Sequence, residues 1–228
     1  MRTIFLSAGH GGNDVGAVGN GYKEADLTIE LRDLVLKYLN QLGAKVVIDD
    51  NKNALAQTIT FFKNKVAKDS ILLDIHWNSF NETSTGTEVL IPATPTKFET
   101  DLATDLSKVI ATTLNIKNRG VKTELQSARK SLGWMRLTGE NVLIETCFIS
   151  NKNDMKSYQE NKEELAKRIA IVLFEYANRG ISSENFYVVK AGDTLSKIAK
   201  ENKTTVEKIQ KDNNLKSTVI QINQKLKL

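Results

Sequence analysis

The chain has 228 residues, 40% hydrophobic and 26% charged, with a net charge of +5. This is the composition of a soluble globular protein, long enough for one ordinary domain plus a small appendage. The single cysteine, Cys147, excludes an intrachain disulfide, and no stretch approaches the roughly 18 apolar residues of a membrane span.

Taken in chain order, an apolar strand at 3–7 runs into the glycine-rich "GHGGNDVG", which carries His10. The segment "NGYKEADLTIEL" places Glu24 at the entrance of a helix whose apolar stripe is Leu27, Leu31, Leu34, Val35 and Leu39, ending at Gly43. A strand follows at 45–48, then helical periodicity across 54–67. The strand at 71–75 ends on His76, and another lies at 88–91. A helix at 98–114, a strand at 142–144 ending on Glu145 and a helix at 163–176 complete the series. Such alternation predicts an α/β fold, a mostly parallel twisted sheet with helices on both faces.

The stretch "NRGISSEN", 178–185, has the Gly, Ser and Asn content of a connector. Beyond it, residues 186–228 hold nine of the 32 basic residues and four of the 27 acidic ones, so the whole +5 excess lies there. The expected organisation is a first domain at 1–177, a linker at 178–185 and a small basic α+β domain at 186–228. Its charge suits an anionic target, and a solvated helix face gives the same count.

In open sheets of this kind ligands bind outside the carboxyl ends of the strands. There the chain delivers its two histidines, His10 and His76, and the acid Glu145, with Glu24 opening the first helix. Two imidazoles and a carboxylate suit zinc with a fourth position free. Either Glu24 or Glu145 could be the carboxylate, the other then serving as general base. Taken singly, each residue also has a structural role: a turn histidine, a first-turn helix acid, a salt-bridged strand acid. Cys147, expected on the same strand face as Glu145, offers a rival nucleophile with His10 or His76 as base, against its reading as a small buried hydrophobe. No G-x-S-x-G elbow is present, and the glycines around His10 lack phosphate-loop spacing and its lysine.

The segments "SAGHGGNDVGAVGNGYKEADLTIEL", "DIHWNS" and "VLIETCFISNKND" resemble, in order and spacing, the signature segments of the zinc-dependent N-acetylmuramoyl-L-alanine amidases of bacterial autolysins and phage endolysins. The resemblance covers 1 to about 177. It implies one Zn2+ held by His10, Glu24 and His76, catalysis by Glu145, and hydrolysis of the amide joining N-acetylmuramic acid to L-alanine of the peptidoglycan stem. The flanking glycines are then expected to leave room for metal and glycan, and Asp14 to brace the loop. Two departures stand out: Asp49 and Asp50 replace a Thr-Arg pair common in the family, and Cys147 replaces a glycine.

The tail, "YVVKAGDTLSKIAKENKTTVEKIQKDNNLKSTVIQINQKLKL", resembles a LysM module: strand, two helices, strand. Asp193 or Thr194 is expected to cap one helix, Thr204 or Thr205 the other, and "VIQINQKLKL" to alternate as a strand. The resemblance implies binding of N-acetylglucosamine units between Gly192, Asp193, Thr194 and Leu195 on one side and Val219, Ile220 and Gln221 on the other. Ile222 and Asn223 replace the usual Pro-Gly before the last strand. A nucleic-acid partner is disfavoured, since the tail has no aromatic platform beyond Phe186 and Tyr187.

The competing functions are a zinc peptidase cutting within the stem peptide and a catalytically silent wall-binding protein. Action at the cell wall is expected. "MRTIFLSAGHGG" lacks the long apolar region and cleavage site of a signal peptide, which suggests release by a separate lysis factor or a signal absent from this sequence.

Overall fold

A computed structural model describes residues 1–179, 186–202 and 204–228; residues 180–185 of the expected connector lie outside the described residues. The chain divides into two compact units, Met1–Asn178 and Arg179–Leu228.

The first unit is built on a six-stranded sheet. In chain order its elements are β1 (Ile4–Ala8), the short hairpin β2 (Val18–Gly19) and β3 (Tyr22–Lys23), α1 (Glu24–Gln41), β4 (Val46–Ile48), α2 (Leu55–Lys63), β5 (Ile71–Asn78), β6 (Thr87–Ile91), α3 (Lys97–Leu114), β7 (Asn118–Thr123), β8 (Glu140–Phe148) and α4 (Lys152–Asn178). The strand order is β4-β1-β5-β8-β6-β7, with β6 antiparallel to β8 and the other neighbours parallel. The strands delivering His10, His76 and Glu145 are thus consecutive and parallel, which brings their carboxyl ends to one edge.

Alternate side chains of each strand go to opposite faces. Ile4 and Leu6 of β1, Ile71, Leu73 and Ile75 of β5 and Val142 and Ile144 of β8 enter the larger core, packed with the buried stripes of α1, α3 and α4. Phe5, Leu72 and Leu143 face the other way, into a smaller core with Phe62 of α2 and Trp134, Met135 and Leu137 of the segment before β8. That second layer is thin. It leaves the carboxyl edge of the sheet uncovered on the α2 side, where Asp74, His76 and Glu145 follow Leu72 and Leu143 in the alternation.

Several boundaries differ from expectation. β7, "NRGVKT", is an edge strand with no apolar alternation to announce it. α4 begins eleven residues before 163, because its first turns bury only Asp154, Met155 and Tyr158. Asp154 anchors that start by accepting hydrogen bonds from Thr85 Oγ1, Gly86 N–H and Phe148 N–H at 2.6, 3.1 and 3.0 Å. α3 begins on a reciprocal cap, Thr96 with Glu99.

The second unit runs β9 (Phe186–Val188), α5 (Leu195–Glu201), α6 (Val206–Asp212) and β10 (Lys225–Lys227), with β9 and β10 antiparallel. Thr194 caps α5 and Thr205 caps α6, each hydroxyl accepting from the N–H three residues on. The expected strand over 219–228 shrinks to Lys225–Lys227: Asn223 takes a left-handed φ of 68°, and Gln224 N–H turns back onto Gln221 O at 3.0 Å. Asparagine tolerates that conformation, so Asn223 makes the turn that the missing Pro-Gly would have made.

Candidate metal centre

Glu24 is the first residue of α1. The loop before it is stitched to the helix start, Glu24 N–H donating to Ala17 O at 2.9 Å and Ala25 N–H to Val15 O at 3.1 Å. This folds "GHGGNDVG" back over the sheet edge. His10, Glu24 and His76 then converge, one ligand atom of each lying within 4.8 Å of the others. Glu24 Oε1 stands 3.3 Å from His10 Nε2 and 3.2 Å from His76 Nδ1. Backbone N–H groups hold the carboxylate still, Trp77 on Oε1 at 3.0 Å and Ala17 on Oε2 at 2.8 Å.

Each imidazole has a carboxylate behind it. Asp74 Oδ2 lies 3.1 Å from His76 Nε2. Asp14 Oδ2 lies 3.1 Å from His10 Nδ1, in ion-pair contact off the axis of a straight hydrogen bond. Asp14 also accepts Gly16 N–H at 3.1 Å, so it braces the loop and orients the ring. Such outer carboxylates fix which ring nitrogen faces inward and raise its basicity. Neither aspartate was assigned this role in the sequence, since the pairing needs the folded loop and the strand's pleat.

The electrostatics follow from this crowding. Burial disfavours the charge on Glu24, but His10 and His76 outweigh it and its pKa is lowered. Burial likewise works against both imidazolium ions; Asp74 and Glu24 raise His76 well above its usual value, and Glu24 raises His10. Glu145, paired in register with His76 on one side and Glu88 on the other, is different. Burial pushes its pKa up to about 7, with Glu24, Glu88 and Asp74 adding and His76 opposing, and its Oε2 has no hydrogen-bond partner.

The glycines serve the chain itself. A Cβ on Gly9 would fall 2.1 Å from His76 Nε2, and one on Gly16, whose φ is +63°, would fall 2.7 Å from Glu24 Oε2 and 2.9 Å from His10 Cδ2. The expected room for metal and glycan is taken up, at these two positions, by the side chains of His76, Glu24 and His10.

Cys147 does not share a face with Glu145. The register shifts between His76 and Asn78, three steps of β8 from Glu145 to Phe148 facing two steps of β5, and this bulge turns Cys147 into the larger core beside Trp77. Burial drives its thiol pKa well above the usual value, so it is no nucleophile for this site. The Asp49 departure has a local explanation: Asp49 is buried and accepts Arg32 Nη1 at 2.7 Å, Thr58 Oγ1 at 3.2 Å and Ala8 N–H at 3.3 Å. α1 thereby supplies a cation at the end of β4.

The residues stand at one end of a cavity of about 550 Å3. Another part of its wall is the segment before β8, including Ser127, Arg129, Ser131 and Trp134. Sequence reasoning passed over that wall, which has neither apolar period nor recognisable motif.

A family profile described as N-acetylmuramoyl-L-alanine amidase matches residues 4–175. The chain belongs to the N-acetylmuramoyl-L-alanine amidase family. A LysM domain profile matches 187–228. This amidase-family chain is 30% identical over 164 residues to the uncharacterized protein YqiI of Bacillus subtilis, covering 67% of this chain and 73% of that one. It is also 30% identical to the N-acetylmuramoyl-L-alanine amidase LytC of Bacillus subtilis, matching 70% of this chain and 32% of LytC, so it spans about a third of that relative. Among solved structures, the catalytic domain of CwlV, an N-acetylmuramoyl-L-alanine amidase from Bacillus (Paenibacillus) polymyxa var. colistinus, superposes with a TM-score of 0.65 at 25% identity, covering 78% of this chain and 99% of the other.

In the C-terminal LysM domain, two of the expected sugar contacts turn inward. Leu195 is buried in the small core with Ile198, Ile209 and Leu226. Asp193 accepts Tyr187 O–H at 2.7 Å and Lys190 N–H at 2.8 Å, a bond that raises the Tyr187 pKa to about 12. Gly192, Thr194, Val219 and Gln221 are exposed, and Ile220 is half-buried against the core. No described helix is long and apolar enough to cross a membrane.

Proposed function

We propose that this chain is a zinc-dependent peptidoglycan hydrolase that cleaves the amide between the lactyl group of N-acetylmuramic acid and L-alanine of the stem peptide. Residues 1–177 form its catalytic domain, 178–185 a connector, and 186–228 a LysM module that holds it at the cell wall by N-acetylglucosamine units. The carrying observation is the convergence of His10 Nε2, Glu24 Oε1 and His76 Nδ1 near a buried, unpartnered Glu145 oxygen.

The donor set fits zinc: two neutral-capable imidazoles with outer carboxylates, one carboxylate, and a side left open to the cavity. His10, Glu24 and His76 would hold it. When bound, zinc supplies Lewis acidity, making water ionise near neutral pH and polarising a carbonyl. Glu145 takes a proton from the attacking water at its free Oε2 and passes it to the leaving alanine nitrogen, a buried carboxylate oxygen without another partner being available for both transfers. Asp74 and Asp14 keep the two rings oriented. Leu132 and Trp134 contribute apolar surface to the cavity wall.

The LysM module adds effective concentration: once a glycan strand is bound, the catalytic domain meets the same insoluble polymer repeatedly. Gly192, Thr194, Val219 and Gln221 are the exposed candidates for sugar contact, with Asp193, Leu195 and Ile220 supporting them. The +5 charge of this module adds salt-screened attraction to anionic wall polymers.

Digestion of purified peptidoglycan with and without a chelator, followed by mass spectrometry, tests the reading. The expected products are stem peptides with free L-alanine N-termini and intact glycan, lost on chelation and restored by zinc. Cleavage inside the stem would make the chain a peptidase, and no cleavage a wall-binding protein. Glu145→Gln is expected to keep zinc and lose about 10²-fold or more in rate; a fully active Glu145→Gln protein would remove Glu145 from the mechanism.

A further inference from the structure

We propose that Arg129 is a specificity residue that reads a free carboxylate on the stem peptide; this rests on the amidase reading above. The cavity over His10 and His76 holds four carboxylates and, apart from those two imidazoles, a single cationic side chain among the described lining residues. The carboxylates are those of Asp14, Glu24, Asp74 and Glu145, and the cation is Arg129, on the segment before β8. It is exposed and makes no ion pair with any described residue.

Its backbone is held firmly. Glu124 Oε2 accepts Leu132 N–H at 2.7 Å, Ser127 Oγ donates to Glu124 O at 2.7 Å and accepts Lys130 N–H at 3.1 Å, and Lys130 turns the chain with a left-handed φ of 55°. Trp134, buried with Phe62, pins the far end by donating Nε1–H to Val142 O at 3.3 Å. The turn that carries Arg129 into the cavity lining thus has a fixed backbone.

A guanidinium without an internal partner, facing a substrate channel, matches a planar carboxylate by two parallel N–H···O bonds and gains nothing comparable from a carboxamide. The imidazole and metal-donor end is taken by the scissile amide in the reading above, so Arg129 is the lining cation left for a stem carboxylate away from the reacting atoms. This orients the stem across the cavity with its alanine end toward Glu145. Arg129 would act on binding and register, without touching the reacting atoms.

The test uses the full chain with zinc and two synthetic muramyl peptides, identical except that the second stem residue carries a free α-carboxylate or the carboxamide. The carboxylate form is expected to show a lower KM by about tenfold or more, the scale of one charge-assisted hydrogen-bond pair. Arg129→Gln should raise KM for the carboxylate form to that of the carboxamide, the change falling on KM more than kcat, and Arg129→Lys should recover part of the preference. Equal KM values in the unmodified protein, or a preference that survives Arg129→Gln, would overturn the proposal while leaving the amidase reading intact. Failure to cut either peptide would take down both.

Discussion

Replacing Gly9 by alanine adds one methyl group, and the structure says where it goes. The new Cβ would sit 2.1 Å from His76 Nε2, 2.2 Å from Cε1 and 2.6 Å from Cδ2. Restoring even a tight 3.4 Å contact requires the ring to retreat by about 1.3 Å. The ring has little freedom to do so: Asp74 holds Nε2, Glu24 faces Nδ1, and the backbone is inside β5. Metal ligands tolerate displacements of about 0.2 Å, and errors near 1 Å in a reacting constellation cost about 100-fold. Gly9→Ala should therefore lose zinc affinity and peptidoglycan hydrolysis by about 100-fold, with an overpacking cost of roughly 1–3 kcal/mol in stability. Competition with a chromophoric chelator reads affinity, dye release from labelled cell wall reads activity, and circular dichroism confirms folding. A folded Gly9→Ala protein with native affinity and rate would refute the reasoning, since it would show that the chain's approach to His76 is not what that glycine is for.

Asp74→Asn should weaken zinc binding by about 10–100-fold by removing the charge behind His76, measured by the same competition. Cys147 should resist alkylation in the native protein, and Cys147→Ala should retain hydrolysis while lowering stability by about 1 kcal/mol; alkylation that abolished activity without unfolding would restore the nucleophile reading. Burial opposes the Glu88 charge, but Lys122 and Arg119 outweigh it and hold its pKa below the usual 4.5. Its stabilisation is thus present above about pH 5 and lost as pH falls through the folded value. The stability gap between the unmodified chain and Glu88→Gln, from urea midpoints, should close toward acid pH; a gap that widened there would reverse the sign.

The alternation of strand and helix periods was legible because apolar residues must repeat every two or 3.6 positions to bury a face, and Ile4, Leu27, Leu31, Ile71 and Val142 do so without help from distant sequence. The candidate ligands were legible for a related reason: parallel strands release their last polar residue at one edge, so His10, His76 and Glu145 announce a shared site. β7 and the first half of α4 were not, since Val121 or Met155 alone sets no period and their pairing comes from neighbours already in place.

Other features exist only in three dimensions. A bulge of one residue in β8 decides that Cys147 joins the core while Glu145 faces the cavity, and no local pattern announces it. Asp74 becomes a partner of His76 because they stand two positions apart on one strand face, Asp14 a partner of His10 because the loop closes on α1, and Gly9 is crowded because His76 arrives from a position 67 residues along the chain. Arg129 lines the same cavity as the acidic edge, from a segment that shares no local sequence with it. The chain's own periods set which faces are buried, through solvent; which charged groups stand within 4 Å of one another was decided by tertiary packing, because Coulomb energy and close contact depend on distance in space.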